Sequence, residues 1–314
     1  MAKKKLYRYP LYLLARGTAA TLALLPRSVL LLFARGLGKI SFALITRQRD
    51  KTLENLTFAF GREKSPEEIK DLAGRVFENA AMTAAEILKF PEMNPARIQK
   101  IVEAGNAEQV YRDLLARNKG LISLTAHIGN WELLAGAMAS LGFQGGVIAR
   151  RIYYEPFNRW IVGLRSSVNV PTIYRDESPR ALLKILKKGG IVGILPDQDI
   201  DSLKSIFVDF LGRPAYTPVA PAKLSLASGA PILPNFLLRS ERGKYRLLMG
   251  QPIDPADFSK SDDAVHDLTC AWMKACEEVI RKYPDQWAWM HNRWKTRPED
   301  PRFSKTLKSS QAEA

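Results

Sequence analysis

"GLISLTAHIGNWELLAGAMASLG", Gly120 to Gly142, joins a short apolar run to a helix-like segment through a polar turn. An apolar run of this length bounded by turn residues reads as a buried strand. The following segment carries a helical period, with Gly142 as its stop. The same texture repeats downstream. "GGVIARR" precedes helical "EPFNRWIVGLRSSV", "VPTIYR" precedes "SPRALLKILKKGG", and "IVGILPDQD" follows. Strands alternating with helices of this length give an α/β fold, with a mixed, partly parallel central sheet flanked by helices. "SIFVDFLGRPA", "APILPNFLLRS" and "KYRLLMGQPI" supply further strands, and "TPVAPAKLSLASGA" is a helix capped by Thr217 and stopped by Gly229. Upstream, Ser65, Pro66 and Glu68 mark a helix start with a capping box. A short strand is expected around Ile101–Glu103, and a last helix over roughly Ala264–Lys282.

In open α/β sheets, ligands collect beyond the carboxyl ends of the strands. Three such ends here carry polar residues: His127, Arg150–Arg151 and Asp197–Gln198–Asp199. If Asn130 caps the next helix, Glu132 lies in its first turn and can reach back to His127. A carboxylate accepting a hydrogen bond from one imidazole nitrogen fixes the tautomer and leaves the other nitrogen free to take a proton. That is the base and orienter of a triad without its serine. No Ser or Cys stands in a GxSxG context, so the acceptor's own hydroxyl would be the nucleophile. HExxH is absent and His266 and His291 lie in unrelated patterns, so no metal site is expected. H-x4-E alone is a weak pattern, and a satisfied structural histidine is the competing reading. The company of basic strand ends favours catalysis.

Arg150, Arg151, Arg159, Arg165 and Arg175 are interleaved with Tyr153, Tyr154, Phe157 and Trp160. A solvated basic helix accounts for some of them, but arginine is also the residue for bidentate anion binding. Asn158 and Arg165, seven apart on the helix from Glu155, share a face and are expected to point at the site. Asp197 and Asp199 could hydrogen-bond sugar or amide groups, and a loop-capping role is equally open for Asp199.

The 314 residues carry a net charge of +15, which points to a polyanionic partner. The charge is densest among the apolar runs of residues 1–50, and no nucleic-acid motif occurs, which argues against a nucleic-acid partner. The arginines and Pro26 interrupt any 20-residue apolar span. Residues 1–50 therefore read as amphipathic helices lying in an anionic membrane surface, the alternatives being a single Tyr12–Phe33 span with a buried arginine and helices packed on the protein's own core. Residues 51–300 form the α/β domain, and 301–314 read as a disordered tail. Cys270 and Cys276 sit on opposite helix faces and neither bridge nor show zinc spacing, which fits a reducing compartment.

These segments, in this order, resemble the lysophospholipid acyltransferase superfamily, and more narrowly the bacterial lipid A biosynthesis acyltransferases of the lauroyl/myristoyl type. The likeness rests on "HIGNWE", "ARRIYYEPFNRWIVGLRSSVNVPTI", "GGIVGILPDQD", "IFVDFLGRPAYTPVAPAKLSLASGAPILP" and "YPDQWAWMHNRWKTRP". It implies a glycerolipid acyltransferase-like fold and an enzyme at the cytoplasmic face of the inner membrane. Such an enzyme moves an acyl chain from acyl carrier protein to a hydroxyl of a lipid A precursor, with no cofactor beyond the carrier's phosphopantetheine thioester. His127 and Glu132 match the family's H-x4-D/E dyad, as general base and its orienter. Arg150, Arg151, Asn158 and Arg165 match its basic segment, and Asp197, Gln198 and Asp199 its acidic one, as binders of the phosphorylated glycolipid acceptor or the pantetheine arm. Some members carry histidine where this chain has Gln198. The competing readings are the same chemistry on a lysophospholipid, aminolipid or other glycolipid, and a non-catalytic basic lipid-binding protein.

Overall fold

The short apolar runs at the centre of the chain lie side by side in a computed structural model, which describes residues 7–176 and 179–300. The tail 301–314 lies outside the described residues. The strands are β1 (Val102–Glu103), β2 (Leu121–Leu124), β3 (Gly145–Ala149), β4 (Thr172–Tyr174), β5 (Ile191–Ile194), β6 (Ser205–Phe210), β7 (Arg213–Pro218), β8 (Ile232–Arg239) and β9 (Tyr245–Met249). Seven form one sheet in the order β1-β9-β8-β2-β5-β3-β4. From β8 to β4 all pairings are parallel, while β9 runs antiparallel to β8 and parallel to β1. The sheet is mixed and mostly parallel. Every residue of β2 is buried, as expected of a parallel strand covered on both faces.

Alternate side chains feed two cores. Ile122, Leu124, Val192 and Phe236 pack with the helices Pro66–Glu86 and Ala264–Lys282 and with Trp287 and Trp289. Leu121, Ile191, Leu233 and Leu237 pack with the helices Trp131–Ser140 and Glu155–Ser166. The capping box at Ser65 forms as the sequence specifies, with both hydrogen bonds present. One expected strand is a hairpin instead. β6 and β7 pair antiparallel around Leu211 and Gly212, whose φ values are +57° and +80°. Thr217 consequently lies in β7, its hydroxyl donating to Ala215 O, and the helix Ala220–Ser228 starts after Val219.

The helix Arg27–Leu44 buries Leu30, Leu31, Ala34 and Gly38 against Pro66–Glu86. Gly38 is required there, because a Cβ would come within 2.6 Å of Glu78 Cα. Its other face exposes Leu32, Phe33, Leu37 and Leu44, and the preceding helix Arg8–Ala23 exposes Leu11, Leu13 and Leu14. A helix apolar on both faces is unusual on a water-facing surface. Among the described residues no single helix is long and apolar enough to cross a membrane. Arg27–Leu44 and Thr46–Phe60 meet that test only together, as a pair bent by 90°.

Candidate active site

β2 and β5 pair in parallel with Leu124 opposite Ile194, so the third residue beyond each strand emerges at the same level. Those residues are His127 and Asp197. Nδ1 of His127 lies 2.7 Å from Asp197 Oδ1, and the His127 backbone N–H donates to Oδ2 at 2.8 Å. Trp287 Nε1–H donates to the same Oδ2 at 2.9 Å. Asp197 is 1% exposed. Burial alone would raise its pKa, but the His127 charge and hydrogen bonds from His127 and Trp287 hold it well below the carboxylate range. Burial opposes protonation of His127, yet the charge and hydrogen bond of Asp197, with the charge of Glu132, raise its pKa. Nδ1 is committed to Asp197, and Nε2 is the nitrogen left for a substrate.

This corrects the expected pairing. Glu132 does not hold the imidazole. It is gripped by Arg165, with Nε 2.9 Å from Oε2 and Nη2 2.7 Å from Oε1. A guanidinium fork matches both carboxylate oxygens and outcompetes a single imidazole N–H. Glu132 therefore acts on His127 through its charge.

The turn between them is held by hydrogen bonds at His127, Gly129 and Asn130. Gly129 has φ +62°, its N–H donates to Gln286 O, and its carbonyl accepts from Thr83 Oγ1. A Cβ here would meet Leu237 O at 2.1 Å, so only glycine fits. Asn130 caps the helix through Oδ1, which accepts from Leu133 N–H, while its Nδ2 donates to Glu86 Oε2 and Tyr245 Oη. Glu86 is 1% exposed and also receives Arg27, Arg239 and Tyr245. One buried carboxylate thus joins the exposed helix Arg27–Leu44 to the cap of the helix carrying Glu132.

The remaining expected residues divide. Asn158 does not face the cavity. It is buried, accepting from Ile152 N–H and donating to Tyr174 Oη, because the helix turns this side of Glu155–Ser166 towards the loop after β3. Arg151 stacks over the Tyr174 ring at 3.8 Å and lies 3.9 Å from Asp176. Asp199 is a loop anchor, accepting from Thr296 N–H and Oγ1. Gln198 sits 2.9 Å from Nε2 of His291. Arg150, Arg165 and Gln198 line the cavity with His127 and Glu132.

His291 is the residue that sequence spacing dismissed. Its ring lies 5.5 Å from that of His127, with Trp131 at 5.3 Å on another side. Burial and the neighbouring His127 charge lower its pKa. It arrives because the C-terminal segment folds back as an added edge. Ile128 bridges Trp287, and Ala288 N–H donates to His127 O. The Trp- and Arg-rich composition of that segment was the only sequence signal.

His127 opens onto a cavity of about 680 Å³, within the range of small-molecule sites. Its walls are mainly apolar, including Val147, Leu182, Leu183, Ile194, Leu224 and Ala227. Among the described residues no group of His, Cys, Asp or Glu is placed to hold a metal ion.

Acyltransferases stand among the curated relatives of this sequence. The chain is 30% identical over 295 residues to lipid A biosynthesis lauroyltransferase of Escherichia coli (strain K12), covering 93% of this chain and 94% of the relative. It is 24% identical to the lipid A biosynthesis myristoyltransferase of the same organism, covering 93% and 90%. It is also 24% identical to phosphatidylinositol mannoside acyltransferase of Mycobacterium tuberculosis (strain CDC 1551 / Oshkosh), covering 67% and 66%. The protein is an acyltransferase acting on a lipid acceptor. A family model, bacterial lipid A biosynthesis acyltransferase, matches residues 1–296, and the chain belongs to that family.

Proposed function

We propose that the protein takes an acyl chain from the phosphopantetheine thioester of acyl carrier protein and places it on a hydroxyl of a lipid A precursor. The observation that carries this reading is His127 lining a mainly apolar cavity of about 680 Å³ while Asp197 holds its Nδ1. The acyl chain lies in the cavity and the thioester at its mouth. Nε2 takes the acceptor's hydroxyl proton as its oxygen attacks the thioester carbonyl. The C–S bond then breaks, and the imidazolium returns the proton to the departing sulfur. Asp197 keeps the tautomer and stabilises the imidazolium. Glu132 adds negative potential at His127 and holds Arg165 in a fixed fork in the cavity lining. No covalent acyl-enzyme is involved.

The acidic carrier and phosphorylated acceptor suit a chain of net charge +15. The apolar side chains exposed between Tyr7 and Ile45 support attachment to the cytoplasmic face of the inner membrane, with flanking cations at anionic headgroups. Replacing Leu14 and Leu32 by Glu should release the protein from anionic vesicles in a flotation assay. Acyl transfer from carrier protein to defined acceptors tests the reaction. If His127→Ala, folded by circular dichroism, transfers at the wild-type rate, the mechanism is wrong. The likeness to a mannoside acyltransferase supports a second reading, a different glycolipid acceptor, which a parallel series of acceptors decides.

A further inference from the structure

Val219 ties two lysines to one place. Its N–H donates to the carbonyl of Lys204 at 3.1 Å, and its carbonyl accepts from the N–H of Lys223 at 3.0 Å. Both side chains line the cavity that holds His127, and so do Arg150 and Arg175. Among the described residues none of these four forms an ion pair. The lining therefore carries five Lys and Arg residues against one acid, Glu132, and that acid is taken by Arg165. Lys204 and Lys223 are exposed neighbours, and desolvation and the adjoining Lys204 lower the pKa of Lys223. The helix Ala220–Ser228 also begins here, so its positive end adds to the same field.

The structure assigns to Lys204 and Lys223, with Arg175, a phosphate-ester site at the cavity mouth, and we propose that its ligand is the phosphodiester of the carrier's pantetheine arm. This deepens the acyl-carrier reading and rests on it. Two observations favour donor over acceptor. The exposed apolar helices meet a different wall: Arg8 lies over Tyr153, Tyr12 packs on Tyr154 and Arg16 lies over Trp160, on the Arg150 and Arg165 side. A lipid acceptor arriving from a membrane comes from there. The lysine wall instead adjoins the helix Pro179–Lys187, whose Leu182 and Leu183 line the cavity while Lys184, Lys187 and Lys188 are exposed. That arrangement fits an acidic protein delivering its arm across the lip.

The test compares dodecanoyl-phosphopantetheine with dodecanoyl-pantetheine, which lacks the phosphate, on wild type and on Lys204→Gln/Lys223→Gln. Calorimetry should show wild type binding the phosphorylated arm about tenfold or more tightly, the expectation for charge-assisted hydrogen bonds. The double variant should erase that preference, and Lys204→Arg/Lys223→Arg should restore most of it, with the KM for the acceptor unmoved. Equal binding of the two arms by wild type overturns the site, whatever the transfer assay shows. A variant that keeps the preference, or raises the acceptor KM instead, overturns it too, the latter giving the site to the acceptor's phosphate. Preference for the phosphorylated arm without any transfer upholds the site and sinks the proposed reaction.

Discussion

Asp197→Asn separates the two carboxylates that flank His127. The amide keeps the shape and one oxygen, and that oxygen can still accept from the His127 backbone N–H and Trp287 Nε1–H, both now bound by Oδ2. The NH2 group must then face Nδ1, 2.7 Å from the present Oδ1. A donor there requires Nδ1 to be the acceptor, which puts the ring proton on Nε2 and blocks it from taking another. The imidazolium also loses its buried counter-charge. In a triad the same change costs on the order of 10⁴-fold in rate, or about 5.4 kcal/mol of transition-state stabilisation. The assay is acyl transfer from carrier protein across pH 5–9 with saturating acceptor. In wild type the rate should fall as pH drops through the raised pKa of His127, since in the proposed mechanism only the neutral ring is a base. In the variant the plateau collapses and the remaining acid limb moves to lower pH. Glu132→Gln should lower the plateau far less and move the limb slightly the same way, because it acts through space. If Asp197→Asn retains the plateau while Glu132→Gln abolishes it, Glu132 orients the base and this reasoning is refuted.

Further consequences are open to measurement. Gly129→Ala should give little folded, active protein, since a left-handed alanine costs about 1–2 kcal/mol before its Cβ meets Leu237 O; wild-type melting and activity would contradict this. Glu86→Gln leaves Arg27 and Arg239 without their counter-charge and should cost about 3–5 kcal/mol in urea unfolding, whereas a loss below about 1 would show the cluster to be dispensable. Trp287→Phe removes one hydrogen bond from Asp197 and should lower stability by about 1–3 kcal/mol, with a smaller loss of rate than Asp197→Asn. Tyr111, buried against Ser123 Oγ, is pushed up to about 12 by burial. Its stabilising contribution is complete below its unfolded value near 10 and is lost as pH rises towards 12, at most about 3 kcal/mol. Melting curves between pH 9 and 12 should therefore be less steep for Tyr111→Phe, and an unchanged slope would exclude the tyrosine.

The fold was legible where local pattern decides it. Buried strands such as β2 and β5 are short apolar runs, the capping box at Ser65 is written in four residues, and the last helix runs Ala264–Lys282 as its period demands. The hairpin at Leu211–Gly212 was missed because its tight turn interrupts an apolar run with only one glycine. In the site, strand ends were legible and partners were not. His127 and Asp197 were each placed at a strand end, yet their bond spans 70 residues and depends on the register of β2 with β5. Glu132, five residues from His127, looked like the partner because proximity in sequence was the only proximity available. Arg165, expected at the site, does line the cavity, but Asn158 on the same helix serves the loop after β3. Helical phase sets a face, and only tertiary packing says what that face meets.

The C-terminal ribbon has a consequence for the order in which the protein matures. Its Trp287 indole and Ala288 amide complete the surroundings of His127 and Asp197, and Thr296 anchors the Asp199 loop. A ribosome delivers the exposed apolar helices at the other end of the chain first. Contact with a lipid surface can therefore be made while the imidazole still lacks its final neighbours, and competence arrives only once the ribbon has closed.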